Sequence, residues 1–261
     1  MASIVTPLRQ PRHVPSMFGT IGIIGLGAFG AFMREQAEEH MGFTRILAWD
    51  SDETKGSNCD LEEAAACDIA ILAVPISQFE KAVHRVIPLM KRGGILVDVC
   101  TVKVHTVEIL KCLGSGIQWI ATHPMFGPES YRKRTGDISG FRILLAEHTL
   151  EYGVYKLVKD WLRDFGLQIV EMTAEEHDQH TARTLFLTHY IGQIVATAGF
   201  DRTEIDTVSF GFLMDAVDSV RHDKELFTQV YRLNAYCQQV LDMFARAKGE
   251  VDTLLSLAVV V

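Results

Sequence analysis

The 261-residue chain predicts an α/β fold, a doubly wound sheet in the N-terminal part followed by an all-helical C-terminal domain. Three observations carry that expectation. Short apolar or β-branched runs alternate with helix-period segments from Thr20 to Met172, the pattern of repeated strand–helix units. The first of these runs opens directly onto a glycine-rich loop. From about Thr173 the glycine-punctuated strands stop and long helical segments replace them.

The composition narrows the function. Apolar residues make up 48% and charged residues 22%, ordinary values for a globular chain. A net charge of -8 argues against nucleic-acid binding, which needs a basic face, but leaves room for anionic small molecules met by a local Arg or Lys. No apolar stretch is long enough to span a membrane. Residues 1–18 hold Arg9, Arg12 and three prolines but no apolar segment, so they read as a flexible arm and not a secretory signal. The five cysteines (Cys59, Cys67, Cys100, Cys112, Cys237) include no C-x-x-C pair. Reduced thiols in a cytoplasmic protein follow, or in a plastid one if the source is photosynthetic.

Taken in order, Thr20 to Ile24 is a strand, and Gly25-Leu26-Gly27-Ala28-Phe29-Gly30 follows at once. A helix runs from about Ala31 to His40, and the next strand, Ile46 to Trp49, ends in Asp50. This is the context a G-x-G-x-x-G needs. Gly25 permits the tight turn, Gly27 lets the backbone approach a pyrophosphate, and Gly30 allows close helix–strand packing. The helix N-terminus offers free N–H donors to the phosphates. Residues 25–30 therefore read as the phosphate loop of a Rossmann-type dinucleotide-binding domain over 19–172, with 173–261 as a helical substrate and dimerisation domain. A glycine turn that serves packing alone is the ordinary alternative. Asp50 would accept the ribose hydroxyls of NAD and repel the 2′-phosphate of NADP, so NAD is favoured, although nearby Lys55 keeps NADP open.

A short helix over Leu61 to Ala66 precedes the strand Asp68 to Val74, which Pro75 ends; Val74 and Pro75 are further candidate cofactor contacts. Ser77 with Glu80 predicts a capping box for a helix to about Met90. The strand Ile95 to Val99, a helix to about Leu113 and the strand Ile117 to Ala121 follow. The last strand leads into Thr122-His123-Pro124-Met125-Phe126-Gly127-Pro128-Glu129-Ser130, where a histidine lies in a proline-stiffened loop at a strand end. Open α/β sheets place their chemistry there, and imidazole exchanges protons near neutral pH; a simple strand-end turn is the bland reading. The strand Phe141 to Ala146, a helix over Leu150 to Phe165 and the strand Leu167 to Met172 complete the sheet. Helices are expected over 174–198, 201–217 and 223–248. Their many apolar residues predict a homodimer, with the tail 254–261 either joining that interface or frayed.

The octapeptide His123 to Ser130 resembles the signature of the prephenate/arogenate dehydrogenase family, and is most similar to the plant-type arogenate enzymes. Supporting stretches are Asp98-Val99-Cys100-Thr101-Val102-Lys103, Glu175-Glu176-His177-Asp178, Phe186-Leu187-Thr188-His189, Ser219-Val220-Arg221, and Asn234. The resemblance implies oxidative decarboxylation of a cyclohexadienol in tyrosine biosynthesis, with hydride passing to NAD(P). It implies that His123 takes the ring hydroxyl proton and that Thr101, where the family usually has serine, shares that hydrogen bond. It also implies substrate contacts from Arg221 to a carboxylate, and from His189, Ser130 and Asn234. Asp178 would set the substrate. An acid at that position goes with arogenate, whose side chain carries an ammonium, and a neutral residue goes with prephenate. An exposed acid in a helix first turn is the bland account of Asp178. Two departures stand out: Tyr131-Arg132-Lys133-Arg134 replaces an expected glycine, and Asp50 differs from the NADP-preferring plant-type enzymes.

The alternatives are prephenate dehydrogenase, a dual-specificity cyclohexadienyl dehydrogenase, another two-domain reductase, and a non-catalytic NAD-binding sensor. The reductases use a lysine of the helical domain, and this chain has none between Lys159 and Lys224. The pair His123 and Arg221 argues against a sensor. His177 and His180 flank Asp178 without an evident third ligand, so no metal is expected.

Overall fold

In the computed structural model, which describes residues 18–134 and 136–258, seven strands form one sheet. They are β1 (Thr20–Ile24), β2 (Arg45–Trp49), β3 (Ile69–Leu72), β4 (Ile95–Asp98), β5 (Gln118–Pro124), β6 (Arg142–His148) and β7 (Gln168–Glu171). The order across the sheet is β2-β1-β3-β4-β5-β6-β7. Neighbours are parallel except β5 and β6, which are antiparallel. Strands inside such a sheet must be apolar on both faces, and every residue of β3 is buried. The chain leaves β1 for one side and returns on the other as β3, so the sheet reverses direction at β1, the crevice where such sheets bind ligands.

The helices of this unit are α1 (Ala28–Gln36), α2 (Leu61–Ala65), α3 (Phe79–Val86), α4 (Lys103–Lys111), α5 (Pro128–Lys133) and α6 (Tyr152–Asp164). Helical spacing in α3 buries Phe79, Val83 and Val86 together. The capping box expected at Ser77 does not cap α3; a 3-10 turn, Ile76–Gln78, intervenes, and Gln78 at the N-cap makes no side-chain cap hydrogen bond. A capping box forms instead at α2, where Asp60 Oδ1 accepts from Glu63 N at 2.8 Å and Glu63 Oε2 from Asp60 N at 3.3 Å.

Two further expectations change. Phe18, placed at the end of the arm, is buried in the core beside Ile21 and Ile23; the rest of the arm lies outside the described residues. β5 continues three residues beyond Ala121, so His123 is inside a strand, opposite Leu144, and not in the loop after it. The antiparallel partner β6 makes this extension possible, because β4 has already ended.

Compact units part between Thr173 and Ala174. The second unit holds α7 (Ala174–Thr181), a π-helical turn Ala182–Phe186, α8 (Leu187–Thr197), α9 (Val208–Val220), α10 (Lys224–Leu233) and α11 (Cys237–Ala258). The helix expected from Asp201 starts at Val208, after Thr207 caps it by accepting from Phe210 N. The helix expected over 223–248 breaks at Asn234. Its buried amide donates to Asp178 O at 2.8 Å and its Oδ1 accepts from Tyr236 N, bonds that compete with continued helix. Of the tail, residues 254–258 are helical, with Leu254, Leu255 and Leu257 exposed; 259–261 lie outside the described residues.

Candidate active site

The glycine loop has the shape of a phosphate cradle. Gly25 has φ +98°, a conformation L side chains rarely adopt, and a Cβ there would meet Ala73 O at 2.5 Å. A Cβ on Gly30 would lie 1.8 Å from Gly25 O, so α1 packs against the loop only with glycine there. Gly27 is different: a Cβ on it would meet nothing within 4 Å. Gly27 is also the N-cap of α1 without a side-chain cap hydrogen bond, and Leu26, Ala28 and Phe29 complete the turn. Open space in front of a bare helix N-terminus fits a pyrophosphate.

Asp50 closes the far side of the loop. Its Oδ2 accepts from Leu26 N at 2.6 Å and its Oδ1 from Asp52 N at 2.8 Å. Each oxygen keeps a lone pair for ribose hydroxyls. Val74 O accepts from the Cys100 thiol at 3.9 Å, tying the turn after β3 to the loop after β4; Val74 is half-buried and Pro75 exposed.

His123 is 6% exposed and paired to β6. The residue before it lies at a register shift between Ile120 and Thr122, a bulge of the kind that re-aims side chains beside active sites. Thr101 sits half-buried in the loop between β4 and α4. Ser130 turns back on its own helix start, accepting from Gly127 N at 2.9 Å and donating to Gly127 O at 3.0 Å. Its hydroxyl thus serves α5 first.

In the helical unit, Asp178 is not an exposed acid. It is 1% exposed, and His177 Nδ1 lies 2.8 Å from its Oδ1. Asn234 joins this cluster through Asp178 O. Burial, and then the charge of Asp178, push the Cys237 thiol up to about 12. His189 is buried with its ring parallel to Phe227, and Nδ1 has no hydrogen-bond partner among the described residues. Burial holds its pKa below the ordinary imidazole value, so it is neutral near pH 7. Arg221 caps the C-terminus of α9. Its Nε is 3.3 Å from Asp218 Oδ1, close enough for attraction but not aligned as a hydrogen bond. Arg221 lines a cavity of about 290 Å³ with Gln193, Thr197 and Lys224.

Comparison with known proteins finds similar sequences and a similar fold. Residues 51–141 match the family model of the prephenate dehydrogenase nucleotide-binding domain. Arogenate dehydrogenase 1, chloroplastic, of Arabidopsis thaliana is 27% identical over 90% of this chain and 39% of its own length. Arogenate dehydrogenase 2, chloroplastic, of the same plant is 28% identical over 85% of this chain and 66% of its own. The chain is similar to prephenate and arogenate dehydrogenases. It spans less than two thirds of the length of these two plant relatives. The fold is that of A. aeolicus prephenate dehydrogenase, solved with hydroxyphenyl propionate and NAD+ (TM-score 0.70, 16% identity, 91% of this chain and 90% of that one).

Within this family resemblance, the basic run after Ser130 has local roles. Tyr131 packs at a tilt against Phe32 of α1, ring centroids 5.1 Å apart, Lys133 pairs with Glu129 at 2.9 Å, and the Arg134 guanidinium lies over the Phe141 ring. Phe126 meets the same Phe32 edge-on at 6.3 Å. Aromatic contacts thus bind α1 to the segment after His123. Sequence reasoning included Asp98 and Lys103 in a family stretch without pairing them, and did not single out Thr106; the structure joins all three, Asp98 pairing with Lys103 and accepting from Thr106 Oγ1. It also missed Gln193 and Lys224, which no spacing marks out.

Proposed function

We propose that the chain is a nicotinamide-dependent dehydrogenase that oxidatively decarboxylates a cyclohexadienol, with arogenate as substrate and NAD as cofactor. The observation that carries this reading is His123, a buried imidazole near the carboxyl end of β5 in a sheet whose β1 opens onto the glycine cradle. In the sheet order β5 follows β1 by three strands, roughly 14 Å at ordinary strand spacing. A cofactor anchored at α1 extends in that direction along the carboxyl ends of the strands. When bound, the nicotinamide accepts the hydride.

The protein's part is acid–base chemistry and positioning. His123 accepts the ring hydroxyl proton as the carbinol carbon loses hydride, a role suited to an imidazole at neutral pH. Thr101 shares that hydroxyl. Loss of the ring carboxylate as carbon dioxide leaves its electron pair in the ring, which becomes aromatic. The driving force therefore lies in the substrate, and the residues chiefly orient it. Arg221 grips a substrate carboxylate bidentately, and Asp50 favours the unphosphorylated ribose of NAD.

Arogenate follows from Asp178, an acid where the plant-type enzymes that use arogenate carry one. Because His177 already lies against that carboxylate, its pull on the substrate ammonium passes through the His177–Asp178 pair. The same pairing favours prephenate as the second reading. NADH formation from arogenate and from prephenate, with NAD and with NADP, on wild type and Asp178→Asn decides between them. Faster turnover of arogenate, shifted toward prephenate by the substitution, is expected. A wild type that prefers prephenate overturns the substrate assignment, and no turnover of either overturns the reaction.

A homodimer belongs to the same reading. Val208 and Phe212 on α9 and Val251, Leu254 and Leu255 on α11 are exposed apolar side chains. Light scattering should give twice the chain mass, and Phe212→Glu should lower it.

A further inference from the structure

Lys103 is a charged side chain with no exposure at all, and Asp98 is its ion-pair partner, equally buried. The ammonium also donates to Thr122 O at 2.7 Å. Asp98 in turn accepts from Cys100 N at 2.7 Å and from Thr106 Oγ1 at 2.6 Å, and its carbonyl accepts from Thr122 Oγ1 at 2.8 Å. The location of these bonds gives them meaning. Pairing of β4 with β5 runs from Ile95↔Gln118 to Asp98↔Ala121 and stops. Thr122 is the first residue of β5 past that last rung, and His123 is the next. Lys103 therefore supplies a donor to the carbonyl at the point where the ladder has run out. On the other side of β5 the register with β6 shifts between Ile120 and Thr122 and resumes at Thr122↔Leu145, so from Thr122 onward the sheet holds the strand from that side alone.

A buried ion pair is a poor source of stability, because removing two charges from water costs about as much as their attraction returns. An aliphatic pair would join β4 and α4 as well. What it would not do is hold the Thr122 carbonyl. We propose that the Asp98–Lys103 pair is a positioning device for the reaction proposed above. It fixes the Thr122 carbonyl and hence the aim of His123. Through Cys100 N and the start of α4, it also fixes Thr101 on the intervening loop. Lys103 and Asp98 act through these two residues, and the inference rests on the dehydrogenase reading.

The double variant Asp98→Asn, Lys103→Met removes both charges and leaves none buried alone. It should fold and bind NADH within about twofold of wild type, since the glycine cradle and Asp50 are untouched, while kcat falls about tenfold to a hundredfold. KM for the cyclohexadienol should change much less than kcat. Thr106→Val is nearly isosteric and takes one donor from Asp98; it should lower kcat several-fold at unchanged NADH affinity, and it carries the test if the double variant does not fold. Folded variants with wild-type kcat overturn the inference. So does a fall in kcat matched by an equal fall in NADH affinity, the mark of a general structural role. A wild type that binds NADH but turns over neither arogenate nor prephenate overturns the dehydrogenase reading, and this inference with it. Wild-type turnover kept by the variants overturns this inference alone.

Discussion

Two glycines of the phosphate loop should respond to the same methyl group in opposite ways. In Gly30→Ala the new Cβ lies 1.8 Å from Gly25 O and 3.3 Å from Ala73 Cβ. Contacts under 3.0 Å essentially never occur, so the loop and α1 must separate by about 1.2 Å. Overpacking of this kind costs about 3 kcal/mol or more, which for a unit of this size lowers the melting temperature by about 6–12 °C. In Gly27→Ala the Cβ meets no protein atom, and φ -64°, ψ -173° is backbone that alanine adopts freely. The cost is a weaker N-cap, at most about 1 kcal/mol. The methyl instead occupies the space left for a pyrophosphate. NADH affinity should therefore fall tenfold or more, about 1.4 kcal/mol. Thermal melting by circular dichroism and NADH fluorescence titration measure both quantities on both variants. A Gly27→Ala protein that binds NADH like wild type would falsify the cradle, and a Gly30→Ala protein that melts like wild type would refute the packing argument.

Three further outcomes are expected. Burial opposes ionisation of Asp68, but hydrogen bonds from Lys91, Thr20 and Gly19 outweigh it and hold its carboxyl down to about 2. A depressed folded pKa adds stability above the unfolded value, and that stability is lost as pH falls through the folded one. Asp68→Asn should thus cost about 2 kcal/mol in urea unfolding at pH 7 and almost nothing near pH 2; a difference independent of pH contradicts this. With a thiol pushed up to about 12, Cys237 should resist a thiol reagent at pH 8 while exposed Cys112 reacts, and peptide mapping of labelled sites checks it. Arg221→Lys keeps the charge but loses the fork, so KM for the cyclohexadienol should rise about tenfold with NADH affinity unchanged; an unchanged KM removes Arg221 from the substrate site.

Local patterns and long-range contacts divided the information in this chain. The alternation of apolar runs, the glycine spacing and Asp50 were legible in order because each is a local demand. A strand buried on both faces must be apolar throughout, and a turn at φ +98° must be glycine. The octapeptide marked His123 by its chemistry. The sequence could not place His123 within β5, since that strand outlasts β4 only by pairing with β6, a partner that arrives twenty residues later and antiparallel. Nor could it show Asn234 breaking a helix that its own segment favours, because its amide is satisfied by Asp178 O, 56 positions away. The same holds for Asp178, which by propensity is an exposed acid at a helix start and by packing is a buried partner of His177. Lys103 makes the point most sharply. A lysine at the start of a helix is ordinarily solvated, and only the end of β4, the Thr122 carbonyl on β5 and the Asp98 carboxylate, brought together by the sheet, give its charge a reason to be buried.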